Sequence, residues 1–360
     1  MGGAILSTTI KINFQVYKSS YFIEEENLHE FSSKNIYGRA LFYFLNEWFN
    51  PSNTIEIQTS GSTGKPKKYK AEKWKIESSA NRTINFFRLN ENQNFLLSLP
   101  IDFIAGKLMV VRAILANANL ITQSISSAPL TPYFRAIDFG AVTPVQLERS
   151  IKKYGIKDLP QIKKLLVGGA QVNTQIKQLL QGFKGEVYES FGMTETFTHV
   201  ALRKVYPIEE DCFEVLSGIN ASENNGKLVL DAPDFLSSPV VTNDLVKFNS
   251  PNSFKWLGRA DFTINSGGLK VQPENLEEQL SSIMEVPFAV VGKPDKELGE
   301  RIVLAIEGRY EIKSNVFKNL PSNLKPRGII YVNEIPRTSA GKVLRKDLKE
   351  LIKEVLDNPI

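Results

Sequence analysis

The densest chemistry in the chain lies in nine consecutive residues, Thr59-Ser-Gly-Ser-Thr-Gly-Lys-Pro-Lys67. Gly61 and Gly64 let the backbone turn tightly and present its N–H groups to an anion. The hydroxyls of Ser60, Ser62 and Thr63 can donate to phosphate oxygens, and Lys65 adds positive charge. The run is expected to follow a strand and precede a helix, which is where a phosphate-holding loop belongs. It is not the loop of the P-loop NTPases, which needs Gly, four residues, then Gly-Lys and a hydroxyl. Thr59 stands where the first Gly should be, and Pro66 where the Mg²⁺-holding hydroxyl should be. The competing interpretation is a Ser/Gly surface loop.

Other chemistries are excluded by composition. One cysteine, Cys212, leaves no internal disulfide and no multi-cysteine metal site, and two distant histidines, His29 and His199, make no metal cluster. Catalysis must come from Lys, Arg, carboxylates, hydroxyls, backbone amides and bound small molecules. The chain has 44 Lys and Arg against 39 Asp and Glu, a net +5 spread along its 360 residues. That balance suits anionic small molecules, and no nucleic-acid partner is expected. The N-terminus lacks the basic and apolar regions of a signal peptide. The most apolar stretch, Phe95 to Ile121, is interrupted by Asp102, Lys107 and Arg112, so no membrane span is expected. A cytoplasmic location follows as an expectation.

These residues need a scaffold. Thr54–Ile57, Asn94–Ser98, Ala136–Phe139, Leu165–Val167 and Val187–Tyr188 have the apolar pattern of strands. Trp74–Leu89, Gly106–Ala116, Pro144–Tyr154 and Thr174–Phe183 have that of helices between them. Alternation of this kind predicts an α/β fold, with a mostly parallel sheet in a large N-terminal domain. After about Phe197 the pattern becomes β-rich. From about 259 it changes again: a helix opening at Pro273, strands at Val286–Val291, Ile302–Ile306 and Ile329–Val332, and a basic terminal helix over Val343–Val355. The expected division is an N-terminal domain of residues 1–258 and a small α+β domain of residues 259–360.

Four segments in order resemble the adenylate-forming superfamily of acyl-CoA synthetases, luciferases and peptide-synthetase adenylation domains. The Thr59–Lys67 loop matches its Thr-Ser-Gly-(Ser/Thr)-Thr-Gly-x-Pro-Lys hallmark. Glu189-Ser-Phe-Gly-Met-Thr-Glu-Thr196 resembles its Tyr-Gly-x-Thr-Glu motif, with Phe191 in place of Tyr. Residues Gly258 to Glu274 resemble its Gly-Arg-x-Asp…Gly-Gly…Pro-x-Glu stretch, and Pro336-Arg-Thr-Ser-Ala-Gly-Lys342 its terminal lysine motif. The resemblance implies that a carboxylic acid and ATP form an acyl-adenylate and pyrophosphate, after which the thiol of CoA takes the acyl group. It implies that Lys342 bridges carboxylate and α-phosphate, that Thr194 contacts the α-phosphate, and that Glu195 holds Mg²⁺. The nucleotide would be bound by the 59–65 loop, the Gly168-Gly169-Ala170 turn, Ser190, Phe191, Gly192 and Met193, Asp244 at the ribose, and Arg259. Asn243 stands where the family has Gly before that Asp. A generic turn competes at 168–170, and taken alone Lys342 is a surface lysine. Asp261 matches the hinge about which a mobile small domain turns, and Gly267 and Gly268 the loop that then lines the thiol tunnel.

The acid is less directly written. Phe103 replaces the family's His in a His-x-x-Gly segment ending at Gly106. Asp102 occupies the place where amino-acid-activating members hold an ammonium group, whereas Lys107 suits a second carboxylate; Asp102 pairing with Lys107 or Arg112 is the structural alternative. Only 58 residues precede the glycine/hydroxyl loop, a family fold lacking much of its usual N-terminal portion. In this compact form the chain looks most like the short o-succinylbenzoate–CoA ligases of menaquinone biosynthesis, with Phe103, Phe191 and Gly192 beside the substrate. The alternatives are a stand-alone enzyme loading an amino or aryl acid onto a carrier protein, and a nucleotide-binding protein without activity. Homo-oligomerisation is left open.

Overall fold

A computed structural model describes residues 9–58, 68–132, 136–193, 196–284, 286–310, 312, 316–338, 340–353 and 355. The chain forms two compact units. The first comprises Met1–Gly169, Leu179–Ile219 and Ala232–Ser238, and the second Ala170–Gln178, Asn220–Asp231 and Pro239–Ile360.

The first unit is built on a sheet whose strands run in the order Phe213–Val215, His199–Tyr206, Glu186–Gly192, Ile162–Val167, Ile137–Val142, Asn94–Leu97, Asn119–Thr122, Thr9–Ile12 and Gln15–Lys18. From Glu186–Gly192 across to Thr9–Ile12 every pairing is parallel. Both ends finish antiparallel. Parallel strands need crossovers, and helices Ile104–Leu115 and Pro144–Tyr154 supply two of them. Ile137–Val142 is buried at every position, as a strand covered on both faces must be. Helix Pro144–Tyr154 starts where its sequence says: Pro144 opens it, and Thr143 and Gln146 form a reciprocal capping box. Helix Ile104–Leu115 is buried from Gly106 to Ile114, a core helix whose apolar surface only Lys107 and Arg112 interrupt. Among the described residues no helix is long and apolar enough to cross a membrane.

One expectation needs correction. The segment after the glycine/hydroxyl loop is a strand, Lys68–Glu72, and only then comes helix Lys73–Phe87. It pairs antiparallel with Thr54–Gln58, Gln58 opposite Lys68, so residues 59–67 join the arms of a hairpin. Three charged side chains hid the strand. Lys68, Lys70 and Glu72 all face solvent, while Tyr69 and Ala71 turn inward.

In the second unit Asn220–Asn224, Lys227–Asp231, Val240–Ser250 and Ser253–Arg259 form an antiparallel meander. A short turn, Ala260–Phe262, leads into a separate sheet of Leu269–Val271, Ile264–Ser266, Gly299–Glu307, Phe288–Asp295 and Gly328–Val332. Alternation gives that sheet two buried faces. Val290, Ile302, Leu304 and Ile306 pack with Leu276 and Leu280 of helix Pro273–Ser281. Ala289, Val291, Val303 and Ala305 pack with Leu348 of helix Arg345–Leu351 and with Ile352. The terminal helix is shorter than the expected Val343–Val355, because Leu344 N–H donates to the carbonyl of Pro336 and holds the preceding residues in a turn.

Leu304→Ala should therefore lower the unfolding free energy of this sheet by about 2–5 kcal/mol, since the side chain is fully buried and the site cannot collapse around the gap. Urea unfolding followed on the second unit checks this; an unchanged midpoint would contradict the packing described.

Candidate active site

Asp244, Arg259, Asp261 and Lys342 come together in the second unit. Pairing of Val240–Ser250 with Ser253–Arg259 sets Asp244 opposite Arg259. Asp244 is buried, and its Oδ1 accepts from Trp256 Nε1 at 2.9 Å. Its backbone N–H donates to Thr242 Oγ1 at 3.0 Å. Arg259 Nη1 stands 3.8 Å from Asp244 Oδ2. The same guanidinium forks onto Asp261, Nε to Oδ1 at 3.0 Å and Nη2 to Oδ2 at 3.1 Å. Partial burial alone would raise the Asp261 carboxyl, but the hydrogen bond and charge of Arg259 outweigh it and hold its pKa below the usual range. Asn243, the departure from the family pattern, costs nothing here. Its side chain lies on the exposed face of the strand and accepts from Lys227 Nζ at 3.3 Å.

Lys342 sits in a tight turn. Thr338 N–H donates to the Lys342 carbonyl at 2.8 Å, and Lys342 N–H to Thr338 Oγ1 at 3.1 Å. Gly341 supplies the left-handed residue the turn requires, with φ +93°. The lysine is exposed to solvent as a residue, yet protein crowds its ammonium. That crowding and the like charge of Arg259 lower its pKa, while Asp244, Glu274 and Asp261 pull the other way.

Gly258 begins this segment at φ +125°. A Cβ there would lie 3.0 Å from both Gln272 Oε1 and Glu274 Oε2. Neither oxygen has a hydrogen-bond partner among the described residues, and burial pushes the Glu274 carboxyl above its ordinary pKa against the opposing charge of Arg345. The sequence marked Glu274 as the end of a motif and as a charge suited to the positive end of the helix opening at Pro273. Gly267 and Gly268, at φ +59° and +84°, form the turn between Ile264–Ser266 and Leu269–Val271. Nothing lies within 4 Å of a Cβ built on Gly268, so this turn is open to solvent.

The first unit holds the other expected residues. Gly168 and Gly169 follow strand Ile162–Val167, and Ser190 Oγ donates to the Val167 carbonyl at 3.3 Å. Glu189, Ser190, Phe191 and Gly192 close the neighbouring strand, with Phe191 against Phe213 at 5.6 Å between ring centroids. Met193 N–H donates to Thr196 Oγ1 at 3.2 Å. Ala170 clusters with the second unit. Thr59 to Lys67, Thr194 and Glu195 lie outside the described residues.

On the acid side, Asp102 is exposed and makes no ion pair with Lys107 or Arg112, whereas Phe103 begins helix Ile104–Leu115. Lys107 is buried, 3.7 Å from Glu47 and 4.6 Å from the centroid of the Phe44 ring, so its charge already has company. Arg112 differs. It is only 2 % exposed, and its Nε and Nη2 have no hydrogen-bond partner among the described residues. The Phe139 ring lies 6.0 Å away. Beside it His199 shares hydrogen bonds with Thr83 Oγ1 at 3.0 Å and Thr198 Oγ1 at 3.3 Å. Burial, with Arg112 nearby, holds the His199 pKa well below the ordinary value, so the imidazole is neutral at pH 7. Sequence reasoning used Arg112 as an interruption of an apolar run and as one possible partner for Asp102. That interruption was itself the signal, because a guanidinium inside a core helix needs an anion.

Parallel strands joined by helices, together with cations and carboxylates interleaved beside a glycine, define an α/β enzyme acting on anionic substrates. The chain belongs to the AMP-binding enzyme family, whose model matches residues 27–229. Among curated proteins it is similar to the 2-succinylbenzoate–CoA ligase of Listeria monocytogenes, 25% identical over 342 residues, covering 85% of this chain and 72% of that protein. It is also similar to the probable 2-succinylbenzoate–CoA ligase of Mycobacterium tuberculosis, 27% identical, covering 84% of this chain and 86% of that protein. Among solved structures it resembles an acyl-CoA synthetase (AMP-forming)/AMP-acid ligase II-like protein from Dyadobacter fermentans, with TM-score 0.58, 27% identity, and 88% and 95% of the two chains covered. The fold is shared with o-succinylbenzoate coenzyme A synthetase from Bacillus subtilis, solved with ATP and magnesium ion, at TM-score 0.68 and 18% identity over 82% of this chain and 69% of that one.

Gly258→Ala should cost about 1–3 kcal/mol, because it combines a strained φ with a clash against two buried oxygens. Thermal unfolding checks this, and a variant as stable as the parent would refute the geometry.

Proposed function

We propose that this chain is an ATP-dependent, AMP-forming acid–CoA ligase acting on 2-succinylbenzoate in menaquinone biosynthesis, in the cytoplasm. The observation that carries the reading is the cluster of Asp244, Arg259, Asp261 and Lys342, four residues that sequence alone nominated for one reaction. Asp244, oriented by Trp256, accepts the ribose hydroxyls. Arg259 and Lys342 supply positive charge where carboxylate and α-phosphate meet, and preorganised cations lower the barrier most where charge accumulates. By the family resemblance, the 59–65 loop, the 168–170 turn and residues 190–194 would bind the nucleotide, and Glu195 would hold Mg²⁺. Residues 259–360 turn about Asp261 so that Lys342 acts in the first half-reaction and the Gly267–Gly268 turn lines the thiol path in the second.

The diacid is favoured by Arg112. A buried guanidinium with two unpaired nitrogens, next to an aromatic ring and a neutral imidazole, suits the carboxylate of an aromatic keto-diacid that is not activated. Lys107, engaged by Glu47 and Phe44, is a poorer candidate than its sequence position suggested. Activation of an amino or aryl acid for a carrier protein is the second reading, carried by the exposed Asp102.

Pyrophosphate exchange over a panel of acids, with CoA consumption measured in parallel, tests both. The ligase reading expects exchange with 2-succinylbenzoate and CoA use; exchange with amino acids and no CoA use would overturn it. Arg112→Gln should raise KM for the diacid by about tenfold or more, the loss of one charged hydrogen-bonding partner, while leaving KM for ATP near its parent value. Lys342 must be charged to act, and its pKa is depressed. The alkaline limb of kcat/KM for adenylate formation should therefore fall with a midpoint below the ordinary lysine value of 10.5. Lys342→Ala should remove that limb along with the exchange reaction.

A further inference from the structure

Arg345 lies three residues beyond Lys342 and has no role in the chemistry proposed above. Yet it is among the most completely engaged side chains in the second unit. It is 5 % exposed. Its Nε donates to Glu274 Oε1 at 3.2 Å, its Nη1 to Glu277 Oε1 at 2.9 Å and to the Val290 carbonyl at 2.9 Å, and its Nη2 to Glu277 Oε2 at 2.6 Å. Glu277 Oε1 also accepts Val290 N–H at 2.7 Å. One guanidinium thus joins the residues after Lys342 to helix Pro273–Ser281 and to strand Phe288–Asp295. Burial disfavours its charge, but the two glutamates more than compensate and raise its pKa further.

The same side chain reaches the proposed hinge. Phe262 lies between two guanidinium groups, Arg345 at 5.7 Å and Arg259 at 5.6 Å from its ring. Phe262 is the last residue of the turn Ala260–Phe262, and Arg259 forks onto Asp261 within it. A line of contacts therefore runs Lys342 turn, Arg345, Phe262, Arg259. Within the turn, bonds join Thr338, Gly341 and Lys342, Arg337 bridges to Val343, and Leu344 ties back to Pro336. Val343 also packs against the sheet face that holds Val291 and Val303, and Ile335 N–H donates to Glu307 Oε2 at 3.2 Å. Those ties seat the loop on the sheet, and Arg345 adds the tie to helix Pro273–Ser281 and to Phe262.

We infer that Arg345 is the positioning residue for Lys342: it sets the location of the lysine turn relative to Arg259 and Asp261, and adenylate formation depends on it while thioester formation does not. This rests on the ligase reading, in which Lys342 serves the first half-reaction alone. A planar fork with four hydrogen bonds fixes both distance and angle, which a flexible ammonium cannot do. Displacement of a reacting group by about 1 Å costs about a hundredfold in rate.

The experiment compares Arg345→Gln, Arg345→Lys and Lys342→Ala in the full-length enzyme. Pyrophosphate exchange reads the first half-reaction, CoA thioester formation from supplied acyl-adenylate reads the second, and thermal unfolding reads stability. Arg345→Gln is expected to lose about a hundredfold in exchange and no more than about threefold in thioester formation, with Arg345→Lys between it and the parent in exchange. Parallel loss of both half-reactions would mean a merely structural role, and full retention of exchange would mean none; either overturns the inference. Should Arg345→Gln fail to fold, Arg345→Lys, which keeps a cation facing both glutamates, decides by the same split. If Lys342→Ala leaves exchange intact, the ligase reading itself fails, whatever the Arg345 variants do.

Discussion

Two like charges, Arg259 and Lys342, must be held near one another, and much of the second unit answers that requirement. Burial and the like charge of Arg259 both disfavour the Lys342 ammonium, whereas the carboxylates around Arg259 keep its pKa raised. Three carboxylates offset the repulsion. Asp261 forks onto Arg259, Asp244 lies within 3.8 Å of the same guanidinium, and Glu274 acts on Lys342 from the helix behind. A site built this way is electrostatically poised: its cations are tolerated in the free protein and become most favourable when further negative charge arrives. That is the arrangement expected for a reaction that brings two anions into contact.

Backbone constraints follow from the same need. Asp244 can face Arg259 only because two antiparallel strands put them in register, with a local irregularity between Leu245 and Val246. The chain must then leave that sheet for another one within a few residues. Gly258 makes this exit where any side chain would meet Gln272 and Glu274, and Phe262 fills the corner between two guanidinium groups. The helix that begins at Pro273 contributes at both ends of this logic. Its apolar side closes one face of the five-stranded sheet, and Glu274 and Glu277 on its polar side neutralise Arg345. Burial of three charged groups together is tolerable here because every nitrogen of Arg345 finds an acceptor, which an isolated ion pair seldom achieves.

Much of this was legible in the sequence, and what was missed has a common cause. Parallel α/β architecture could be read from alternating apolar segments, because period and length are local properties. Asp244, Arg259, Asp261 and Lys342 could be named because they fall in segments that resemble motifs of a known family. Strand Lys68–Glu72 escaped because three of its five side chains are charged, so the inward pair Tyr69 and Ala71 was too faint a signal. Arg345 looked like one cation among several in a basic terminal helix, and only its neighbours distinguish it. Lys346 and Lys349 share that helix, yet neither is buried, whereas Arg345 is closed in by two glutamates and a carbonyl. Partner choice is a property of the folded chain, and no local pattern encodes it.

The same distinction separates Lys107 from Arg112 in the first unit. Both interrupt an apolar helix five residues apart, and the sequence put Lys107 forward as the receptor for a second carboxylate. The fold supplies Glu47 and Phe44 to Lys107, whereas Arg112 has the Phe139 ring and the neutral His199 nearby and, among the described residues, no hydrogen-bond partner for Nε or Nη2. Arg112 stays charged at neutral pH even when desolvated, because a guanidinium gives up its proton with great difficulty. A buried, charged and unsatisfied donor set is costly, and such a cost persists in a fold only where something offsets it. His199 cannot, since its imidazole is neutral and already bonded to two threonines. In the proposed reading, the offsetting group is the substrate carboxylate that is not activated. Discrimination would then be strong, because an acid lacking the second carboxylate would leave the guanidinium as unpaired as it is in the free protein.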